Sequence, residues 1–414
     1  MIALTDVNSF YPSAEVVFEP HNRGKPLIVL TNNDGCVAAL NRQAKELNIP
    51  RFAPYFQIKE LCEKHKVIVR SSNYELYSDL SMRFASLISE YSPNVHIYSI
   101  DESFADLSGQ KNLLQLGADI RRRIWTELRL PVCVGIGETI TLAKAANHAA
   151  KKIRGYHGVC FIESSQQREA ILSQMDVEDV WGVGRRIAKR LKLFNIHKAI
   201  DLAKWPPKHA KTNFNILLEQ TVRELNGEPV KEWDTVRADK QQIWSTRSFG
   251  ERITDIESLY QALAKHCAIA AKKLRDQGSV AQQLIGFAAS SSFDETPQSF
   301  KILHRFEVPT NDTSVIAGAV RENIHQLFKP GVPYYRAGIG LVELRSECNV
   351  QLDIFAKDRS NPKLMQCLDA INNRFGNGTA LLAGEGIEQK WDMRREYLSP
   401  QYTTNWRHIP KIRC

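Results

Sequence analysis

The sequence lacks the patterns that would place the protein in a membrane or in an oxidising compartment. No apolar run is long enough to cross a bilayer, and no signal peptide precedes the first strand-like segment. None of the eight cysteines forms a C-x-x-C pair, so neither a zinc ribbon nor a redox motif is indicated. Cys62 and His65 could lie one helical turn apart, as metal ligands can, but we interpret them as an ordinary surface pair without metal. Free thiols without an export signal predict a cytoplasmic protein.

Composition and charge are those of a basic globular protein. The chain has 414 residues, of which 43% are hydrophobic and 24% are charged. This length suggests about two to three domains or more. The formal net charge of +9 favours a polyanionic partner such as nucleic acid, although many basic proteins bind none.

Three acidic residues carry the strongest chemical signal. Asp6 closes the alternating run Met1–Thr5, which is typical of a strand, and Asp101 and Glu102 lie between two strand-like halves. A hairpin with two carboxylates beside a strand that ends in a third makes a cluster of hard oxygen ligands, which Mg²⁺ prefers. Two such ions, about 3.5–4 Å apart, clamp the attacking and leaving oxygens of a phosphoryl transfer. Adjacent Asp and Glu are also common in solvated loops, so the neighbouring residues must decide between a metal site and an ordinary loop.

The chain divides by its hydrophobic pattern into four segments. Residues 1–165 alternate strand-like and helix-like runs, with an inserted lobe at about 20–75. A shorter helical segment covers residues 170–232. Residues 243–345 fit the order β-α-β-β-α-β, and residues 346–414 look irregular and form a tail.

The helical segment contains a second motif. Gly182 and Gly184 alternate with apolar residues and precede a basic amphipathic helix that begins near Arg185. This pattern is typical of a helix-hairpin-helix, in which glycine lets the backbone approach a phosphate and the helix N-terminus offers free N–H groups. The alternative is a helix start that needs glycine only for its turn. The four basic residues of the helix favour the phosphate interpretation (Arg185, Arg186, Lys189, Arg190).

Blocks of sequence along almost the whole chain resemble one family. They include Asp6–Ser13, Asn33–Val37, Ser72–Tyr77, Tyr98–Glu102, Val134–Gly137, Leu142–Lys144, Asn147–Lys152, Trp181–Gly184 and Arg247–Arg252. The blocks and their order resemble those of the Y-family, or translesion, DNA polymerases. Within this family they are most similar to the UmuC-type subunits of DNA polymerase V. The resemblance implies an α/β (α+β) multidomain fold shaped as a right hand. Its palm and fingers would occupy residues 1–165, its helical thumb 170–232 and its little finger 243–345.

The resemblance also implies an activity and a set of metal ligands. The protein would be an error-prone, template-directed DNA polymerase of the SOS response that extends primer–template DNA with dNTPs past lesions. Asp6 and Asp101 would bridge two Mg²⁺ ions, Glu102 would hold the ion that activates the primer 3′-hydroxyl, and the Val7 carbonyl would add one oxygen.

The nucleotide-binding residues are implied in the same way. Tyr11 would be the steric gate, whose ring clashes with a 2′-hydroxyl, whereas Phe10 is interpreted as core. Arg42 and Lys45 occupy the positions where the family has a tyrosine and an arginine on the fingers, and Lys151 matches the palm lysine. Because lysine is a point charge rather than a planar fork, bidentate phosphate contact by Lys45 is not expected.

A peptide near the tail resembles the bacterial sliding-clamp-binding motif. An extended segment of this kind inserts apolar side chains into a hydrophobic pocket of its partner. The alternative is an ordinary strand. The motif residues are Gln351, Leu352, Ile354 and Phe355. UmuC-type subunits also act with a dimer of a processed UmuD-type protein and a RecA filament, so the resemblance implies these partners.

Two other functions fit part of the pattern. A nucleotidyl cyclase also uses a strand Asp and a two-acid hairpin with two metals, but it requires neither the helix-hairpin-helix nor the clamp-like peptide. A catalytically silent DNA-binding factor would be indicated by the loss of an acid, and all three acids are present.

Overall fold

A computed structural model describes residues 1–233, 239–349, 359–387 and 391–410. These residues form two compact units. The first unit contains residues 1–31, 35–233 and 397–410, and the second contains 32–34, 239–349, 359–387 and 391–396. Within these ranges, no helix has both the length and the apolar character that a membrane crossing requires.

The secondary structure alternates between strands and helices. The strands are β1 (Ile2–Val7), β2 (Leu27–Leu30), β3 (Val37–Leu40), β4 (Ile68–Ser71), β5 (Val95–Ile97), β6 (Glu102–Asp106), β7 (Val132–Gly137), β8 (Val159–Phe161), β9 (Ile243–Ile253), β10 (Ser279–Ala289), β11 (Ser299–Thr310) and β12 (Tyr334–Ser346). The helices are α1 (Phe10–Phe18), α2 (Arg42–Glu46), α3 (Tyr55–Lys64), α4 (Tyr74–Ser89), α5 (Leu113–Leu128), α6 (Ile140–Lys152), α7 (Ser165–Gln174), α8 (Arg185–Lys192), α9 (Ala199–Lys204), α10 (Pro207–Asn213), α11 (Ile216–Leu225), α12 (Ile256–Asp276), α13 (Thr313–Leu327) and α14 (Pro362–Phe375).

A five-stranded sheet in the order β5-β6-β1-β7-β8 is the centre of the first unit. Side chains alternate between the two faces of a strand, so each face of β1 packs against a different layer. Ala3 and Val7 join the core formed with α4 and α5. Leu4 faces the other way and packs with Phe104 and Ala143 of α6. Asp6 follows the same alternation as Leu4 and therefore lies on the α6 side of the sheet.

Two smaller layers complete the first unit. The sheet β3-β2-β4 packs with α2 and α3 around its own apolar core. Helices α7 to α11 form a separate helical core that includes Leu191, Leu202 and Val222. Strands β3 and β8 have only four and three residues and so show little periodicity.

The second unit has the element order β-α-β-β-α-β, from β9 through β12, as the sequence predicted. Its four strands form an antiparallel sheet in the order β11-β10-β12-β9. Helices α12 and α13 bury a common core against this sheet, with Leu263, Leu274 and Ile316 fully enclosed.

The expectation that residues 346–414 are irregular is wrong for part of that segment, because it contains the 14-residue helix α14. The Asn361 side chain accepts a hydrogen bond from the Leu364 backbone and caps the helix, and Pro362 stands in its first turn. Gly376, with a φ of 107°, ends it. Asp369 anchors the helix through a bidentate ion pair with Arg275, at 2.7 and 2.9 Å.

Candidate active site

Two of the three predicted acids face each other across neighbouring strands. β1 and β6 run antiparallel, and their register places Asp6 opposite Glu102. Glu102 shares its face of β6 with Phe104, as Asp6 shares its face of β1 with Leu4. Since Leu4 and Phe104 pack against α6, both acids lie on the α6 side of the sheet.

Helix α6 supplies one lysine to each acid. The Lys151 Nζ lies 2.5 Å from Asp6 Oδ1, and the Lys144 Nζ lies 2.8 and 2.9 Å from the two carboxylate oxygens of Glu102. The two lysines are about two helical turns apart and so lie on one face of α6. Lys144 also stands 4.5 Å from the ring centroid of Tyr98, a cation–π contact. Each partly buried carboxylate thus has a cationic partner, without which its burial would be costly.

Helix α6 packs closely against the sheet, which makes these contacts possible. The Asn147 amide donates to the carbonyls of Leu4, at 3.3 Å, and Cys133, at 2.9 Å, and so joins α6 to β1 and β7. Directly beneath the helix lies Gly135. A Cβ at this position would overlap the Asn147 backbone nitrogen and come within 2.5 Å of the Ala143 carbonyl oxygen. Only glycine permits this approach of helix to strand.

Burial and mutual repulsion perturb the paired acids. Burial raises the pKa of Asp6 to about 7, although the ion pair with Lys151 acts in the opposite direction. Burial also acts to raise the pKa of Glu102, but hydrogen bonds from Asp6 and Lys144 outweigh it and hold the pKa below its usual value. In the pair, Asp6 therefore keeps a proton more readily than Glu102. A cation bound between them would favour the charged form of both acids.

The third acid lies on the turn between β5 and β6. The Asp101 carboxylate accepts a hydrogen bond from the Ser99 hydroxyl at 2.6 Å, and its backbone carbonyl accepts one from Val7 at 2.9 Å. Asp101 lines the same cavity as Asp6. In the part of the chain that the structure describes, no three carboxyl, imidazole or thiol groups converge as a ready-made metal site. The structure brings Asp6 and Glu102 into contact and places Asp101 on the cavity side of them.

The cavity beside the acids has a volume of about 400 Å³ and a basic wall. Lys45 and Lys151 line it, at the positions that the sequence predicted for nucleotide binding. Arg42, also predicted, is not part of this wall. Its side chain is 87% exposed and pairs with Glu46 of the same helix at 3.0 Å.

Arg51 also lines the cavity, and sequence reasoning missed it. Its Nε donates to the Ala38 carbonyl at 3.2 Å, and its guanidinium lies 4.9 Å from the ring centroid of Phe52. The sharp turn at Phe52, with a φ of 66°, follows Arg51 directly. An aromatic residue at positive φ is unusual, so no sequence signal could have predicted this turn.

Tyr11 lies on the cavity wall between aromatic neighbours. Its ring stacks on Tyr77 with centroids 4.4 Å apart and an interplanar angle of 18°, and it meets Tyr74 edge-on at 6.4 Å. The preceding Phe10 is only 3% exposed and belongs to the core between α1 and the sheet.

The predicted helix-hairpin-helix residues lie together at the start of α8. Gly182 has a φ of 90°, which favours glycine, and Gly184 is the N-cap of α8. A Cβ on Gly184 would meet nothing within 4 Å, so the space beside the helix N-terminus is open. Arg185 is the first residue of α8 and is exposed. The element before the glycines is a 3₁₀ turn, Val177–Asp179, rather than an α-helix.

The predicted clamp-binding residues lie outside the described part of the chain (Gln351, Leu352, Ile354, Phe355).

Comparison with known proteins agrees with this geometry. The impB/mucB/samB family matches residues 5–148, its C-terminal domain matches 240–354, and a domain of unknown function, DUF4113, matches 362–412. The protein UmuC of Salmonella typhimurium is 42% identical over all of both chains, and SamB of the same organism is 40% identical over 99% of each. DNA polymerase IV 2 of Bacillus subtilis is 27% identical over 94% of each chain.

Solved structures show the same fold. A chimera of the Y-family DNA polymerase Dbh matches with a TM-score of 0.62 at 19% identity, covering 85% of this chain and all of that one. An insertion ternary complex of Dbh matches with a TM-score of 0.54 at 20% identity, covering 83% and 98%. Fold and relatives together define a Y-family DNA polymerase. Within that class the chain belongs to the impB/mucB/samB family, of which UmuC is a member, and the predicted family and fold class are confirmed.

Proposed function

We propose that this protein copies DNA past lesions, in an error-prone and template-directed manner, by joining a dNTP to a primer 3′-hydroxyl. The observation that supports the proposal best is the pairing of Asp6 with Glu102 beside a cavity of basic wall residues. Partly buried acids next to a basic cavity of about 400 Å³ suit nucleotidyl transfer.

The acids fit a pair of Mg²⁺ ions by donor type and by charge. Asp6 and Asp101 would bridge the two ions. Glu102 would hold the ion that activates the primer hydroxyl, and the Val7 carbonyl would add a further oxygen. The pairing of Asp6 with Glu102 supports this, because a bound cation would relieve the repulsion between two adjacent carboxylates. When bound, the ions activate the hydroxyl and neutralise charge on the phosphates.

The cavity wall suits a deoxynucleoside triphosphate. Lys45, Arg51 and Lys151 would neutralise the phosphates, and the planar guanidinium of Arg51 supplies the fork that Lys45 lacks. Tyr11 would lie under the sugar, where its stacked ring excludes a 2′-hydroxyl. Arg42, which pairs with Glu46, would reach a phosphate only by leaving that partner.

We assign the regions of a polymerase hand accordingly. Residues 1–165 would form palm and fingers, with the fingers at about 20–75, and 170–232 would form the thumb. Residues 243–345 would be the little finger, and 346–414 the tail. In the thumb, the backbone at Gly182 and Gly184 and the Arg185 side chain would hold a primer–template phosphate.

The family resemblance supports three protein partners. Gln351, Leu352, Ile354 and Phe355 would bind the sliding clamp as an extended peptide. A processed UmuD-type dimer and a RecA filament would activate the polymerase under the SOS response. The family resemblance also supports a cytoplasmic location for the protein.

Primer extension on a lesion-containing template, with and without Mg²⁺, tests the proposal. Asp101→Asn should leave folding and DNA binding nearly intact but abolish nucleotide addition, because it removes a bridging carboxylate. Asp119→Asn, on the exposed side of α5, is the matched control and should extend primers like the wild type. Wild-type extension by Asp101→Asn would refute the metal assignment, and template-independent formation of a cyclic nucleotide would identify a cyclase instead.

A further inference from the structure

A segment near the end of the chain packs into the first unit, although more than 300 residues separate it from its neighbours. We call Tyr397–Tyr402 the returning segment. Its first residue exchanges hydrogen bonds with Ser71 at the end of β4, each at 3.0 Å. At its other end, the Tyr402 ring stacks on Phe18 of α1 with centroids 4.7 Å apart. This segment lies within the matched domain of unknown function.

The returning segment adjoins two acids, one on α1 and one just after it. Glu15 is only 1% exposed; burial raises the pKa of its carboxyl, and the neighbouring Ser399 hydroxyl acts in the opposite direction. Glu19 accepts one from the Tyr402 hydroxyl at 3.0 Å. Arg70 lies between the two acids, with Nη2 2.7 Å from Glu19 and Nε 3.8 Å from Glu15. Buried acids need such donors, so the network depends on the returning segment.

The same network reaches the cavity through Tyr77. The Tyr77 hydroxyl donates to Glu15 Oε1 at 2.6 Å, and Tyr77 is fully buried. Its ring is the one on which Tyr11 stacks. The path from the returning segment to Tyr11 thus runs from the Tyr402 hydroxyl through Glu19, Arg70 and Glu15 to Tyr77, and from there by one ring stack.

A second connection holds the start of α4. The Asn73 side-chain oxygen caps α4 by accepting from Leu76 at 3.3 Å. Its amide donates to the Ser399 hydroxyl at 2.9 Å and to the carbonyls of Ser399, at 3.2 Å, and Pro400, at 3.3 Å. The first turn of α4 carries both Tyr74 and Tyr77, the two α4 rings that contact Tyr11.

We propose that the returning segment is a positioning element for sugar selection, which fixes Tyr11 by holding Tyr77 and the first turn of α4. The inference rests on the proposed role of Tyr11 as the steric gate. A ring that excludes a single hydroxyl must be held in place within a fraction of an ångström, and the network supplies that constraint. It gives the domain of unknown function a structural role in the specificity of the catalytic unit.

The test is the ratio of kcat/KM for a dNTP to that for the matching rNTP, measured with the full chain. The double variant Ser399→Ala, Tyr402→Phe removes both hydroxyls, one bonded to Asn73 and one to Glu19, and keeps the ring of Tyr402. Its discrimination should fall by about 3- to 10-fold, mainly through a lower KM for the rNTP, while kcat for the dNTP changes less. Tyr397→Phe is the matched control. It lies in the same segment but contacts Tyr55 rather than the two acids, and it should discriminate like the wild type.

The outcomes separate the inference from the proposed function. If Tyr11→Ala leaves discrimination unchanged, Tyr11 is not the gate and the proposed function is wrong on that point. If Tyr11→Ala relaxes discrimination but the double variant does not, the inference alone is refuted. Combined with Tyr11→Ala, the double variant should have no further effect, and an added loss would show that the segment acts by another route. Melting curves accompany each variant, and Tyr402→Phe alone, the milder change, replaces the double variant if that one unfolds.

Discussion

Replacing Gly135 with alanine should destabilise the first unit by about 3 kcal/mol. The added Cβ would overlap the Asn147 backbone nitrogen and lie within 2.5 Å of the Ala143 carbonyl oxygen, whereas real Cβ contacts essentially never fall below 3.0 Å. The obstacle is helix backbone rather than a flexible side-chain end, so α6 itself must move away from β7. Overpacking of a core typically costs about 1–3 kcal/mol, and a clash with backbone belongs at the upper end.

The displacement should also affect the site. α6 carries Asn147, which bonds to β1 and β7, and Lys144 and Lys151, which hold the two acids. A shift of the helix lengthens all these contacts together. At about 2–4 °C for each kcal/mol in a unit of this size, the melting temperature should fall by about 6–12 °C.

Thermal unfolding of the full chain, followed by circular dichroism and calorimetry, measures the effect. Gly184→Ala is the control for stability, since its Cβ would meet nothing within 4 Å and its φ of −79° suits any residue. Its melting temperature should equal that of the wild type. If Gly135→Ala also melts within about 2 °C of the wild type, α6 does not lie against β7 as described, and the argument for the lysine–acid pairs fails.

Three further predictions concern other regions. Arg185→Ala should weaken binding to primer–template DNA of any sequence and reduce the salt slope of the affinity by about one ion, and an unchanged slope in a fluorescence titration would leave α8 without a phosphate role. In the second unit, burial and neighbouring cations lower the pKa of His266 to about 4. The unfolded chain binds this proton at a higher pH, near 6.5, so stability is complete above about pH 6.5 and falls by up to about 3 kcal/mol as the pH drops toward 4. Melting at pH 7.5 and 4.5 should show less of this loss in His266→Asn, and an equal loss in both proteins would contradict the assignment. Finally, alanine at the apolar positions of the clamp peptide should spare basal primer extension on short templates but remove stimulation by the sliding clamp, because apolar anchors carry most of a peptide's binding energy (Leu352, Ile354, Phe355). Full stimulation of this variant, or a large drop in its melting temperature, would refute the recruitment role.

The part of the site that follows from local pattern was predictable. Strand alternation alone puts Asp6 and Leu4 on one face, and a two-acid hairpin beside that strand brings Glu102 within reach. The β-α-β-β-α-β order of the second unit was readable for the same reason, since its strands have 11 to 13 residues and its helices 15 and 21. Long periodic segments leave a clear signal.

The lysine partners were only partly predictable. Lys151 was expected to bind nucleotide, and its contact with Asp6 was not anticipated. The spacing of Lys144 and Lys151 by about two helical turns was a usable signal, because it places both on one face of any helix that covers the acids. What spacing does not reveal is which face that helix turns toward the sheet, and Asn147 and Gly135 decide this through contacts with other strands.

Contacts between distant segments left no signal at all. The returning segment meets α1 and α4 across more than 300 residues, and neither Ser399 nor Tyr402 stands in a periodic pattern. Arg51 lines the cavity where the sequence predicted Arg42, and this difference has a similar cause. The position of a side chain on the five-residue helix α2, and the turn after it, are set by the packing of the small sheet rather than by local spacing.

The lysines of α6 explain how the acids can be buried before any metal or nucleotide binds. An unpaired buried carboxylate costs several kcal/mol, and two adjacent ones repel each other besides. Lys144 is bonded to both oxygens of Glu102 and lies among the rings of Tyr98 and Phe104, so it is a fixed partner. Lys151 contacts Asp6 and also lines the cavity, so it has access to a second anion there. One helix face thus carries two lysines in different surroundings. Lys144 holds Glu102, whereas Lys151, at the edge of the cavity, would exchange its acid for a phosphate if the proposed substrate role is right. This difference in surroundings, rather than any difference in residue type, underlies the roles proposed for them.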